Sequence, residues 1–395
     1  MFFGKKILVG VTGGIAAYKA AFLVRELKKS ADVRVVMTKA AGHFVSPLTF
    51  EALSGHKVAI DLFGEGYDAA TAHIDWARWP DLILVCPATA NTIGKAAHGL
   101  ADNMLTTIIL AATAPVIFCP AMNVEMYKNA AYQHNEKTLL QRGCHIVQPG
   151  EGELACGEIG IGRLAETEEI LAMINFVLNG SAALQGKRVL VTAGPTHEAL
   201  DPVRYLANRS SGKMGYALAE QAALRGAAVT LISGPTGLPR PYRTELCRVV
   251  TAQEMHVAVQ ELLPENDVLI MAAAVADFRP AVRATQKIKK ESAHSLELTA
   301  TVDILQDVAK DKGDRLVIGF ALETEDEMEH AAEKLYRKKC DLLVVNNPSQ
   351  AGAGFEVDTN IVTILRKDGS QKQLPLMSKT AVAQAILDEL QLLLS

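Results

Sequence analysis

Three features of the sequence predict an α/β protein of two domains, each a mainly parallel sheet flanked by helices. Short apolar runs suited to buried strands recur at 6–11, 32–37, 82–86 and 115–119, and again at 187–192, 229–233, 268–276, 316–320 and 341–345. Segments of helical periodicity separate them, as crossover connections between parallel strands require. The order of strand, glycine turn and helix opens the chain at Lys6 and reopens it at Lys187, and 395 residues are too many for one ordinary core. The prediction is therefore of two Rossmann-like domains, 1–178 and 187–395, joined by the small polar stretch 179–186.

In the first domain, Thr12-Gly-Gly14 leads from strand 6–11 into helix 15–29. This arrangement offers backbone N–H groups to a phosphate, although glycines that only pack a helix on a strand look the same. Strand 32–37 ends on Thr38 and Lys39 rather than on an acid, and the GxGxxG spacing is incomplete. Both points weigh against a dinucleotide and leave a mononucleotide open. The loop and short helix at 42–54 bring Phe44 and Ser46 towards the C-terminal edge of the sheet. His73 precedes the third strand, where a structural role accounts for a single histidine as well as a catalytic one does. Pro87-Ala-Thr-Ala-Asn-Thr92 puts hydroxyl and amide side chains at a strand end that opens a helix. Asn123 follows the next strand, where a turn-forming role would explain it alone. Three strand ends with ligand-suited residues on one edge point to a site.

Gly150-Glu-Gly-Glu-Leu-Ala-Cys-Gly-Glu-Ile-Gly-Ile-Gly-Arg163 has five glycines in fourteen residues. Such a stretch is unsuited to a helix or a central strand. It reads as a flap carrying a thiol, Cys156, and a guanidinium, Arg163, to close over a small substrate.

The second domain begins with strand 187–192 and a long connection into Arg209-Ser-Ser-Gly-Lys-Met-Gly215, which opens helix 216–226 with donors for phosphate oxygens. It is not a Walker loop. The apolar run 268–276 ends at Asp277, suited to Mg²⁺ or a nucleotide donor, or equally to capping a helix. Lys287-Ile-Lys-Lys290 is either a solvated charge run or a grip on a triphosphate. Lys334 and Lys338 share one face of helix 326–339, and Asn346-Asn347 follow the last predicted strand.

A net charge of −4 leaves no electrostatic footprint for nucleic acid or a membrane surface. No run reaches transmembrane length and the N-terminal residues lack the pattern of a signal peptide. Six scattered cysteines without a CxxC pair suggest a reducing cytoplasm.

Gly13-Gly-Ile-Ala-Ala-Tyr-Lys19, His73, Pro87-Ala-Thr-Ala-Asn-Thr92, Pro120-Ala-Met-Asn123 with Met126, and Ala155-Cys-Gly-Glu-Ile-Gly-Ile-Gly-Arg163 together resemble the flavin-containing cysteine decarboxylases, and among them phosphopantothenoylcysteine decarboxylase. The resemblance implies FMN at the strand ends, oxidation of the substrate thiol to a thioaldehyde, and loss of the carboxylate from that activated form. It implies His73 as base or orienting group, Asn123 on the substrate's carboxylate or amide, and Cys156 as proton donor. Met126 and Arg163 would bind substrate, and Gly14, Thr38, Phe44, Thr89 and Asn91 would contact the flavin.

Residues 187–390 resemble phosphopantothenate–cysteine ligase through Ala193-Gly-Pro-Thr196, Asp201-Pro-Val-Arg204, Asn208-Arg-Ser-Ser-Gly-Lys-Met-Gly215, Ala274-Val-Ala-Asp277, Lys287-Ile-Lys-Lys290, Gly319-Phe320 and Asn346. This implies activation of 4′-phosphopantothenate by CTP with Mg²⁺, then displacement of the nucleotide by cysteine. Asn208 would stabilise the acyl-nucleotide, and Ser211, Gly212, Asp277, Lys287, Phe320, Lys334 and Lys338 would bind substrate. Asp303, Ile304 and Leu305 match the family's Asn-Pro-Asp-Ile-Leu stretch, whereas Thr301 and Val302 depart from it. The ligase product, 4′-phosphopantothenoylcysteine, is the decarboxylase substrate, so fusion of the two makes chemical sense. Relatives assemble decarboxylase trimers and ligase dimers, which implies a homo-oligomer. A tandem-Rossmann NAD(P) oxidoreductase lacks its ribose acids here. A non-catalytic flavoprotein regulator would not need His73, Asn123, Cys156 and the ligase half.

Overall fold

The computed structural model describes residues 2–62, 71–153, 157–289, 295–322, 327–346, 354 and 357–394. The chain divides into two compact units, Met1–Asn179 and Gly180–Ser395.

In the first unit β1 (Lys6–Val11) buries Ile7, Leu8, Val9 and Val11 completely, the unbroken apolar run of a parallel strand covered on both faces. It lies between β2 (Asp32–Met37) and β3 (Leu82–Ala88). With β4 (Val116–Pro120) and β5 (His145–Ile146) the sheet order is β2-β1-β3-β4-β5, all parallel. The connecting helices are α1 (Ala17–Lys28), α2 (Pro47–Ser54), α3 (Ala72–Arg78), α4 (Ala90–His98), α5 (Met104–Ala111), α6 (Val124–Lys128) and α7 (Ala130–Gln141), with α8 (Thr167–Asn179) closing the unit. The strand order reverses between β1 and β3, so the chain leaves their C-terminal ends in opposite directions and opens a crevice. Thr12, Gly13, Gly14 and Thr89 stand at that edge. A side chain at Gly13 would collide with Ala40, so glycine is required there.

The glycine-rich stretch, read as a flap, includes a two-stranded antiparallel ribbon of β6 (Gly150–Glu153) and β7 (Ile159–Arg163). The two strands satisfy each other's backbone groups without joining the central sheet. The Met122 N–H donates to the Gly162 carbonyl at 3.0 Å, and Gly162, at φ +144°, has no room for a Cβ against the Met122 carbonyl. The glycines let the ribbon lie flat on the turn before α6.

The second unit has an eight-stranded sheet in the order β12-β11-β8-β13-β16-β17-β18-β19. Its parallel part comprises β8 (Arg188–Ala193), β11 (Ala228–Ser233), β12 (Thr244–Arg248), β13 (Val268–Met271), β16 (Leu316–Leu322) and β17 (Leu342–Asn346). The antiparallel strands β18 (Thr359–Arg366) and β19 (Gln371–Ser378) extend it. Two short ribbons stand apart, β9 (His197–Ala199) with β10 (Tyr205–Ala207) and β14 (Phe278–Pro280) with β15 (Leu298–Ala300). The helices are α9 (Lys213–Leu224), α10 (Ala252–Leu262), α11 (Ile304–Val308), α12 (Glu327–Arg337) and α13 (Lys379–Leu394). Val191, Ile270, Ile318 and Val344 of the sheet pack in one buried cluster with Ile386 and Leu390 of α13 and the alanines of α9.

The strand expected over 268–276 stops at Met271. Beyond it, backbone donors turn to the end of β8 and the loop after it: the Ala273 N–H donates to Thr192 Oγ1, Ala274 to the Gly194 carbonyl and Ala276 to Thr196 Oγ1. The chain peels away where a cavity opens.

Candidate active sites

In the second unit a cavity of about 700 Å³ lies over the C-terminal ends of the parallel strands, within the size range of small-molecule sites. Its lining includes Asn208, Ser211, Gly212, Asp277, Asp303, Ile304, Leu305, Phe320, Lys334 and Lys338. The ligase-like positions that are distant in sequence therefore meet in space, with the exception of Lys287.

Asn208 Nδ2 donates to the Ala274 and Val275 carbonyls at 3.2 and 3.1 Å, which fixes its amide against the segment that leaves β13. Gly212, at φ +78°, precedes α9; a Cβ there would fall 2.7 Å from Thr236 Cγ2. This tight turn presents Ser211 and the first N–H groups of α9 to the cavity. Asp277 is exposed and leads into β14, so it has no helix to cap. Phe320 is half-buried on β16.

Asp303 accepts the Gln306 N–H at 3.0 Å as the cap of α11 and also pairs with the Lys338 ammonium. Burial pushes its pKa up, but the hydrogen bonds from Lys338 and Gln306 outweigh it and hold the carboxyl below its ordinary value. Lys338, only 3% exposed, is thus engaged in the cavity wall. Ile304 and Leu305 have buried side chains in the core behind that wall. Lys334, one turn away, is half-buried.

Lys287 is exposed and outside the cavity lining, and Lys290 lies outside the described residues. The segment is anchored through its neighbour: Asp201 accepts the Ile288 N–H at 3.1 Å, and Arg204 donates to the Ile288 carbonyl at 2.8 Å. Asp201 also takes the Val203 and Arg204 N–H groups and the Arg204 guanidinium. The guanidinium first, and then the backbone donors, hold its carboxyl far below the usual carboxylate range.

Sequence reasoning missed Lys379, Asn360 and the paired role of Lys213, all of which line the cavity. Lys379 is buried at the start of α13 and donates to the Gly354 carbonyl at 3.1 Å. Burial, and then the Lys213 ammonium, lower its pKa, with Asp358 opposing. Lys213 bridges to Asp358 at 2.6 Å. A lysine at the first position of a helix opposes the helix dipole, and that was the available signal. Asn346 Oδ1 is buried and has no hydrogen-bond partner among the described residues.

In the first unit Thr12 Oγ1 donates to the Pro87 carbonyl at 2.6 Å and accepts the Thr89 N–H at 3.0 Å, tying the ends of β1 and β3 together. Thr89 caps α4, and Asn91 is exposed in that helix's first turn. Thr38 accepts the Ala41 N–H at 3.3 Å in the turn after β2, and Phe44 is 47% exposed at its end. A Cβ built on Gly14 would meet only Thr89 Cγ2, at 3.6 Å, so a ligand can approach the backbone there. His73 is half-buried in the first turn of α3 and makes no hydrogen bond or ion pair among the described residues.

Asn123 caps α6, its Oδ1 accepting the Glu125 N–H at 2.8 Å. Its Nδ2 donates to Glu158 Oε2 at 2.6 Å, a contact between the strand end and the ribbon that the sequence did not foretell. Met126 is half exposed on α6, and Arg163 pairs with Glu166 at 3.1 Å. Cys156 lies outside the described residues.

Residues 3–179 match the family model described as Flavoprotein, and residues 184–393 match the DNA/pantothenate metabolism flavoprotein C-terminal domain. The chain is 50% identical over 391 residues to the coenzyme A biosynthesis bifunctional protein CoaBC of Bacillus subtilis (strain 168), covering 98% of this chain and 96% of that protein. It is 45% identical over 393 residues to the protein of the same name from Escherichia coli (strain K12), covering 98% and 97%. A crystal structure of the C-terminal domain of a coenzyme A biosynthesis bifunctional protein CoaBC has 45% identity and a TM-score of 0.47, covering 54% of this chain and 98% of that one. Matched along nearly its whole length, the chain belongs to the family of coenzyme A biosynthesis bifunctional proteins.

Proposed function

We propose that this bifunctional enzyme joins 4′-phosphopantothenate to cysteine with CTP and then decarboxylates the 4′-phosphopantothenoylcysteine it has made. Residues 187–395 perform the ligation, residues 1–178 the decarboxylation, and 179–186 connect them. The observation that carries this reading is the second unit's cavity, where Asn208, Ser211, Gly212, Asp277, Phe320 and Lys334 line one space.

Ligation starts when the 4′-phosphopantothenate carboxylate attacks the α-phosphorus of CTP and pyrophosphate leaves. The cysteine amine then attacks the acyl-cytidylate and CMP leaves. Asn208, held by two backbone carbonyls, keeps its amide in place for the acyl-nucleotide with no reorganisation at the moment of reaction. The N–H groups at the start of α9, Ser211, Lys213 and Lys379 supply donors and positive charge for the leaving pyrophosphate. Lys287 acts from the segment that Asp201 anchors. Mg²⁺, when bound, would neutralise charge on the triphosphate, and one or two protein carboxylates would suffice to hold it. Asp277 is the carboxylate suited to it.

The strand ends of the first unit fit FMN. Gly14 leaves its backbone open, Thr38 and Thr89 bring hydroxyls, Asn91 an amide and Phe44 an exposed ring. When bound, FMN supplies the thiol oxidation that lets the carboxylate leave, and the later return of electrons. Asn123 orients the substrate's carboxylate, His73 serves as base or orienting group, Cys156 returns the proton, and Met126 and Arg163 hold the substrate under the ribbon. Exposed Ile15, Tyr18, Phe22 and Phe44 of this unit favour a homo-oligomer that covers them. The described cysteines are free and no described helix is long and apolar enough to cross a membrane. Both agree with a cytoplasmic enzyme.

The test is an absorption spectrum of the purified protein followed by pyrophosphate release. Flavin bands released as FMN on denaturation, with release of pyrophosphate that requires CTP, 4′-phosphopantothenate and Mg²⁺, are expected. A colourless protein unable to take up FMN would refute the decarboxylase half alone.

A further inference from the structure

We infer that Glu158 is a specificity-determining residue of the decarboxylase site, a carboxylate of the chain itself that competes with the carboxylate of the substrate for Asn123. The inference rests on the decarboxylase reading of the first unit. Asn123 has its Oδ1 committed to the Glu125 N–H, which turns Nδ2 outward as the donor end of the amide. That donor is 2.6 Å from Glu158 Oε2. A short bond between an amide N–H and an ionised oxygen is among the stronger side-chain hydrogen bonds.

The ribbon's position makes the contact specific. The Met122 N–H bonds the Gly162 carbonyl, and Gly160 packs against Val124 with no space for a Cβ. The strand that follows Glu158 is therefore fastened on both sides of Asn123. Arg163, at the other end of β7, pairs with Glu166.

The substrate arrives with a carboxylate and the product leaves without one. The amide nitrogen has two N–H groups, but two carboxylates brought to one nitrogen repel each other, so binding of the acid favours displacement of Glu158. The product makes no such demand. Once carbon dioxide has gone, Glu158 returns to Nδ2, and the donor is not left unsatisfied. The site thus lowers its apparent affinity for the acid by the fraction of molecules in which Glu158 holds Asn123.

The test uses the full-length, FMN-loaded protein and two unreactive probes followed by calorimetry. One is 4′-phosphopantothenoylserine, which keeps the carboxylate but has a hydroxyl for the thiol; the other is 4′-phosphopantetheine. Glu158→Ala should tighten binding of the serine compound about tenfold and leave that of 4′-phosphopantetheine within about twofold. Glu158→Gln, which keeps an acceptor without the charge, should give a smaller gain of the same sign. An unchanged ratio of the two affinities in both variants, or weaker binding of the acid, overturns the inference while the decarboxylase reading stands. Wild-type protein that binds neither probe overturns both.

Discussion

The two units place their sites at the same topological position and finish them differently. In the second unit, strand ends, the α9 turn and α12 surround a cavity of about 700 Å³ from residues of one chain. In the first, Gly14, Thr38, Phe44, Thr89 and Asn91 stand beyond the strand ends, and Phe44 there is about half exposed. A parallel sheet supplies the polar strand ends in both cases. Enclosure depends on the elements added beyond the strand ends: ribbons and an extra helix in the second unit, a thin glycine ribbon in the first.

The contrast can be broken most directly at Asn208. Asn208→Ala should cut CTP-dependent ligation by about 100- to 1000-fold, the usual loss for one preorganised donor. Decarboxylation of added 4′-phosphopantothenoylcysteine should hold within about twofold, and a parallel fall in both rates would contradict independent sites. Gly13→Ala tests the other unit. Its methyl group must displace Ala40, at a cost of about 1–3 kcal/mol, so flavin retention and the stability of the first unit should drop while ligation persists.

A smaller effect sharpens the electrostatics of the cavity. Lys379→Met should raise the KM for CTP about tenfold with little change for cysteine. Because burial lowers the pKa of Lys379, the wild-type KM for CTP should begin to rise at a lower alkaline pH than an ordinary lysine would dictate. Lys379→Arg should move that rise upward. The smallest effect concerns Asp201. Its carboxyl is depressed in the folded state, so its stabilisation is complete above the unfolded value of about 3.9 and is lost as pH falls from there towards the folded value. Asp201→Asn should therefore flatten the acid limb of the second unit's stability, seen in urea melts between about pH 5 and 2. An unchanged slope would remove Asp201 as the anchor of the Lys287 segment.

The strands with unbroken apolar runs were legible because burial on both faces leaves no other pattern. The run 268–276 misled for the same reason: its alanines are apolar, but their backbone donors turn to Thr192, Gly194 and Thr196. Strands β18 and β19 escaped notice, although the β-branched run Ile361-Val362-Thr363-Ile364 and the turn at Asp368-Gly369-Ser370 signal a hairpin. For the candidate sites, a resemblance of motifs singled out Asn208 and Asn123, whereas the contacts of Lys379 and Glu158 became visible only in space. Glu158 carries no local pattern, and the cation that opens α13 at Lys379 does not by itself reveal Lys213 and Gly354, the groups around it that are distant in sequence.

Strand β19 has a consequence for how copies of this chain can meet. It is the last strand of its sheet, with one row of backbone groups unpaired, a natural template for a strand from another molecule. Pro375 lies between Leu374 and Met377, where the pairing register with β18 shifts, and it has no N–H to offer; Lys372 adds a charge near the start of the strand. The edge is guarded against runaway sheet growth, since a strand from another molecule finds no continuous row of donors along it.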